Sequence, residues 1–129
     1  MVKIVLAVSA VLAVGSSPAT QVAATIKAEA SAFNGRHWHA LWNLHTPRYR
    51  STCNYAKYVA AEKRVRARGG TVTTTRIRVR FVSPKRALAY YFLVTETHQT
   101  FRQGGDVYAK VGSRWLDELN RPGRAGCGY

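Results

Sequence analysis

Acidic side chains are scarce in this chain: its 129 residues hold 6 Asp and Glu against 20 Lys and Arg, a formal charge of +14 at pH 7. That imbalance directs the search for partners toward anionic surfaces. There are only two cysteines, Cys53 and Cys127. No cysteine stands directly after the N-terminal apolar run, which disfavours a lipid-anchored lipoprotein. Long hydrophobic runs are missing as well. The longest, Ile4 to Gly15, is broken by Ser16-Ser17-Pro18, short of the roughly 20 residues that a membrane-spanning helix needs. Internal repeats and linkers are absent, so a chain of this length reads as one domain. Apolar residues make up 47% of the chain, enough to exclude a disordered reading.

What is present at the N-terminus resembles a secretory signal. Lys3 supplies the positive end, residues 4–15 the apolar segment, and Ser17 and Ala19 the small residues of a cleavage site. The expected organisation is a signal peptide over 1–19, a single domain over 20–120, and a tail over 121–129 that carries Cys127. A second cut after Ala24 is open. The expected location is therefore secreted or in the cell envelope. Loss of residues 1–19 removes only Lys3 among the charged groups, leaving a formal charge of +13. In an oxidising compartment an even pair of cysteines favours a disulfide between Cys53 and Cys127.

Periodicity divides the rest into helices and then strands, an α+β order. Val22, Ile26, Ala30 and Phe33 share one face of a helix over about 22–34, which Asn34-Gly35 is expected to stop in a left-handed conformation. A second helix covers the histidine- and tryptophan-rich stretch 35–47 and ends before Pro47. A third runs from an Asn54 cap to Arg68, burying Tyr55, Tyr58, Val59 and Val65. From Thr73 the period changes to two. Ile77, Val79 and Phe81 alternate with Arg76, Arg78 and Arg80, which puts three like charges on one strand face. Residues 87–97 read as a longer buried strand, 97–105 as a polar loop hinged at Gly104-Gly105, and 106–111 and 114–119 as a hairpin turning on Gly112-Ser113.

The run from His37 to His45 holds three histidines and two tryptophans, and helix geometry takes that cluster apart. His37 and His39 lie roughly 200° apart around a helix, and His45 is about 12 Å along the axis from His37, so the three cannot share a metal. No metal and no cofactor are expected from the sequence. Trp38, Leu41, Trp42 and His45 fall on one stripe instead, which makes His45 the inward histidine.

With its tryptophan-rich "LWNLHTPRYR" at 41–50 and closing hairpin "VYAKVGSRWLDEL" at 107–119, this order of elements resembles the nuclear-transport-factor-2-like superfamily and its SnoaL-like, cystatin-fold members. The similarity covers about residues 20–120. It implies three N-terminal helices packed on a curved four-stranded antiparallel sheet that forms a cone, with Phe33, Trp38, Trp42 and Tyr91 as contacts for a small hydrophobic ligand. Fold does not carry function in such a group. Isomerase-type members use a tyrosine on the first helix and an acidic base after the second; the corresponding stretches here offer Ala30 and Phe33, and Arg48, Tyr49 and Arg50. Cyclase- and dehydratase-type members imply a histidine and an aspartate inside the cone. His45, or His98 beside Glu96 on a shared strand face, would be the base, with Asp106 or Tyr91 in support.

The arginines give the other candidate. Arg76, Arg78 and Arg80 repel one another unless an anion or open water faces them. Tyr90 is the one aromatic on the neighbouring strand expected to stack between them, which disfavours nucleic acid. The leading expectation is thus an exported, non-catalytic domain with a ligand cone and a basic outer sheet that meets an anionic envelope polymer. A cone-pocket enzyme is the first alternative, and a cationic nucleic-acid or membrane-surface binder is the second. A second copy of the chain could also pair across the sheet.

Overall fold

The computed structural model describes residues 16–118. Most of the expected signal segment, and the tail with Cys127, lie outside the described residues. Four helices precede four strands. They are α1 (Pro18–Asn34), α2 (Trp38–Asn43), α3 (Pro47–Thr52), α4 (Tyr55–Gly69), β1 (Val72–Ser83), β2 (Arg86–Thr95), β3 (Thr100–Val111) and β4 (Arg114–Asp117). The strands form one antiparallel sheet in the order β1-β2-β3-β4, and the helices pack against it in an α+β fold.

Helix α1 starts earlier than the periodicity alone indicates, because Ser17 caps it by accepting from the Thr20 amide at 3.2 Å and Pro18 fits the first turn. Its C-terminus also differs from expectation. Gly35 has an ordinary φ of −80°, and Arg36 takes the left-handed conformation at φ 57°. The Asn34 amide then bonds both ways with the backbone of Val72, at 2.8 Å each, and so ties the end of α1 to the start of β1.

The single helix expected over 35–47 is two short ones. Thr46 is extended, as a residue before proline should be, and this ends α2. Pro47 then opens α3 under a Thr46 cap that accepts from the Tyr49 amide at 3.1 Å. Helix α4 follows its Asn54 cap as expected, but its buried residues are Tyr58, Ala61 and Glu62, while Tyr55 and Val65 stay exposed.

The polar 97–105 segment is the largest departure. Residues 100–105 continue β3 in register with β2 instead of forming a loop. Two bulges beside the middle of β2 make this possible. Gly105, at φ 79°, is the extra residue between Gly104, opposite Tyr90, and Asp106, opposite Ala89. On the other side, the register slips between Thr75 and Arg78, with Arg76 at φ 54°. A bulge adds one residue to one strand and so reverses which side chains face which way beyond it. Arg102 and Asp106, four apart, therefore point to opposite faces of the sheet.

Two clusters form the interior. One joins Val22 and Ile26 of α1 to Ala87, Ala89, Tyr91, Tyr108 and Trp115 of the sheet. The other joins Phe33, Leu41, Tyr49, Cys53 and Tyr58, flanked by Trp38 and Trp42. Ile26 is 1% exposed in the first cluster. Ile26→Val is expected to cost about 1 kcal/mol, seen as a lower denaturant midpoint at unchanged slope.

Candidate functional site

His45 lies where α2 gives way to α3, and the fold carries it to β4. It forms an isolated parallel bridge with Asp117. The Thr46 amide donates to the Asp117 carbonyl at 2.9 Å, and the Asp117 amide donates to the Leu44 carbonyl at 2.8 Å. This backbone pairing places the imidazole Nε2 3.8 Å from Asp117 Oδ2, with both side chains buried. At the other ring nitrogen, Nδ1 lies 3.0 Å from the Leu41 carbonyl oxygen. A carbonyl can only accept, so Nδ1 carries a proton. Tyr49 stacks on the ring at 4.4 Å between centroids, and Tyr58 stands edge-on at 5.3 Å.

Glu29 of α1 completes the group. Its carboxyl lies beside Asp117 and His45, with one donor atom from each within 4.8 Å of the others. Tyr108 on β3 donates its hydroxyl proton to Glu29 Oε1 at 2.6 Å. Burial holds the Glu29 carboxyl well above the usual carboxylate range, and the negative charge of Asp117 and a hydrogen bond with it push the same way. Glu29 thus holds its proton more tightly than an isolated carboxyl does, because a second negative charge beside Asp117 and away from water is costly.

Around this pair other groups are shifted by the same physics. Asp106, mid-strand and facing inward, accepts from the Tyr91 hydroxyl at 3.0 Å. Its carboxyl is pushed up to about 6 by burial and by Asp117, with Tyr91 pulling the other way. Burial and Asp117 likewise push Glu62 of α4 up to about 7.

The expected site residues separate into these groups and others. His45 is inward, as its stripe predicts, and has a carboxylate neighbour contributed by a strand far along the chain. Asp106 lies within β3 rather than at the start of a strand. His98 is exposed and left-handed at φ 62° in the turn after β2, so it shares no strand face with Glu96. Glu96 instead accepts from the Thr71 amide at 2.6 Å, across the space left by Gly70, where an added Cβ would fall 2.7 Å from its carboxyl carbon. The four expected ligand contacts are not gathered into one lining. Phe33, Trp38 and Trp42 pack in the helical cluster, with Phe33 edge-on to Trp38, whereas Tyr91 belongs to the sheet cluster and is held by Asp106. Glu29 and Tyr108 escaped sequence reading. Their only signal is a polar side chain next to the apolar face of an amphipathic element.

The opposite face of the sheet carries the arginines. Since Ala87, Ala89 and Tyr91 point inward, Leu88, Tyr90 and Phe92 point out. Arg78 pairs with Tyr90, and Arg102 pairs with Phe92 across the next ladder. Arg78, Val79, Arg80, Tyr90 and Arg102 line an open groove of about 300 Å³. Arg76 departs from the even ladder expected of it: at its bulge, its guanidinium lies 6.0 Å from the centre of the Phe92 ring. The face therefore holds four arginines around two aromatics, with Arg102 and Phe92 added to what the strand pattern predicts.

Cys53 is buried at the end of α3, and its expected partner Cys127 lies outside the described residues. Neither a protein-family model nor a curated protein matches the chain.

Proposed function

We propose that the chain is an exported, non-catalytic binding domain of the nuclear-transport-factor-2-like superfamily, and that its outer sheet holds an anionic envelope polymer. The observation that carries this reading is the groove in which Arg78, Arg80 and Arg102 surround Tyr90. Three guanidinium groups from two strands that flank a third offer forked donors to phosphate or carboxylate groups. The ring supplies an apolar floor for a sugar face. Helices followed by a four-stranded antiparallel sheet support the superfamily. Export is supported by the apolar N-terminal run, and Val22, fully buried in the core, favours a cut after Ala19 over one after Ala24.

The test is titration of the purified protein with a phosphate-bearing glycan, a carboxylate-bearing glycan and single-stranded DNA. Tighter binding to either glycan, lost in an Arg78/Arg80/Arg102 triple-alanine variant, supports the reading. Preference for DNA would give the face to nucleic acid, for which Tyr90 and Phe92 supply stacking surfaces.

Export also bears on the cysteines. Protein recovered from an oxidising compartment is expected to contain the Cys53–Cys127 disulfide. It should take up no alkylating reagent when denatured, and two equivalents after reduction; two adducts before reduction would overturn the pairing.

A second reading, a SnoaL-like cyclase, dehydratase or isomerase, is favoured by the meeting of His45, Asp117 and Glu29. Native mass spectrometry distinguishes the two. A small hydrophobic molecule retained by the wild type and lost in Asp117→Asn favours the enzyme, and the bare mass in both favours the binding domain.

A further inference from the structure

We propose that Glu29, His45 and Asp117 together bind a divalent transition-metal ion, with Zn²⁺ as the best fit to one imidazole nitrogen and two carboxylate oxygens. The donors come from three separate elements, with Glu29 preceding His45 by 16 residues and Asp117 following it by 72. Within the folded chain their atoms lie within 4.8 Å of one another. The exclusion of a three-histidine site on one helix still stands, because this site uses only one histidine of that run.

Two observations separate this group from an ordinary buried acid pair. First, His45 is 4% exposed, and its Nε2 makes no hydrogen bond among the described residues. With Nδ1 turned to the Leu41 carbonyl, the ring points Nε2, the nitrogen left for a metal, at a carboxylate oxygen 3.8 Å away. That is too long for a hydrogen bond. Ligands on bonds of about 2.0–2.2 Å to a tetrahedral ion stand roughly 3.3–3.6 Å apart, so donors within 4.8 Å of one another need to close by about 1.5 Å at most.

Second, two of the donors are aimed by an outer partner and the third is placed by backbone pairing, as metal ligands commonly are. Leu41 O orients the imidazole, and the Tyr108 hydroxyl holds Glu29 at 2.6 Å. The paired backbone hydrogen bonds between residues 44–46 and Asp117 fix the other two donors relative to each other. Three protein donors leave a fourth position open on a tetrahedral ion. An ion here would join α1, the α2–α3 junction and β4.

The experiment is calorimetric titration of chelator-treated full-length protein with ZnCl₂ near neutral pH, with MgCl₂ as a comparison. One equivalent of Zn²⁺ is expected to bind, with Mg²⁺ much weaker. Glu29→Gln and Asp117→Asn are each expected to weaken Zn²⁺ by about 100-fold or more, beyond what loss of an outer partner usually costs. Both substitutions are isosteric, and circular dichroism reports whether they keep the fold. A His37/His39/His98 triple-alanine variant should bind as the wild type does. Independently of any variant that fails to fold, NMR of the wild type should show the His45 ring signals moving with the first equivalent while the other three histidines stay still. No uptake by the wild type, loss of uptake in the triple variant, or shifts at the surface histidines alone would overturn the site.

Discussion

Unfolding free energy is expected to fall by several kilocalories per mole as pH rises from about 4 to about 7, in contrast to proteins whose salt-bridged carboxylates make them weakest in acid. The cause is the set of buried carboxyls. Glu62 rises from an ordinary value of 4.5 to about 7 in the folded chain, and Asp106 from 3.8 to about 6. Below the unfolded values both states hold these protons and nothing is lost. As pH climbs, the unfolded chain releases them first, so the unfolded state gains until the folded groups also ionise. The stability these groups provide is therefore complete in acid and lost by about neutrality. Each contributes on the order of 3 kcal/mol, since one pKa unit corresponds to about 1.4 kcal/mol. Denaturant midpoints at pH 5 and pH 8 check the sign. Glu62→Gln should raise stability at pH 8 and leave it nearly unchanged at pH 4. Equal midpoints at both pH values in the wild type would contradict the buried-acid account.

Removal of three arginines from the outer sheet should weaken binding to a strongly charged polyanion on the order of 100-fold at about 0.1 M salt. Each guanidinium that meets an anionic group releases roughly 0.7–0.9 of a condensed counterion, so the slope of log affinity against log salt should flatten by between 2 and 3 in Arg78→Ala/Arg80→Ala/Arg102→Ala. These side chains are on the solvent face, and such substitutions usually change stability by less than about 0.5 kcal/mol. A comparison is built into the chain. Arg64 and Arg68 lie on α4, away from the groove. A triple alanine variant of Lys63, Arg64 and Arg68 changes the net charge by the same amount and should leave most of the salt slope intact. Equal losses in the two variants would mean that the protein attracts polyanions through its overall charge alone, with no role for the groove.

Much of the architecture was legible along the chain. The cap at Asn54, the helix end before Pro47, the alternation over 77–81 and the Gly112-Ser113 turn are local signals, each read within a few residues. The errors arose where one local signal had two meanings. Pro47 ends a helix because it constrains Thr46, and it starts the next because its own conformation suits a first turn. Gly104-Gly105 has the composition of a hinge, yet Gly105 supplies a bulge that keeps the strand going.

The candidate sites divide in the same way. Arg78 and Arg80 could be found because a strand repeats every two residues, but Arg102 could not, since its face depends on the bulge that follows it. His45 could be placed inside by its helical stripe. Its neighbours could not, because Asp117 comes from β4 and Glu29 from α1, and no spacing rule joins them.

By itself, the sequence determined the α+β order of elements, the excess of positive charge, the inward His45 and the arginine-bearing strand, all of which follow from composition or short-range periodicity. Only the tertiary structure decided which acids meet in the interior, which ring nitrogen faces them, and which arginines enclose the groove. Those outcomes depend on strand register and long-range backbone pairing, where a slip of one residue turns a side chain from the core to the solvent.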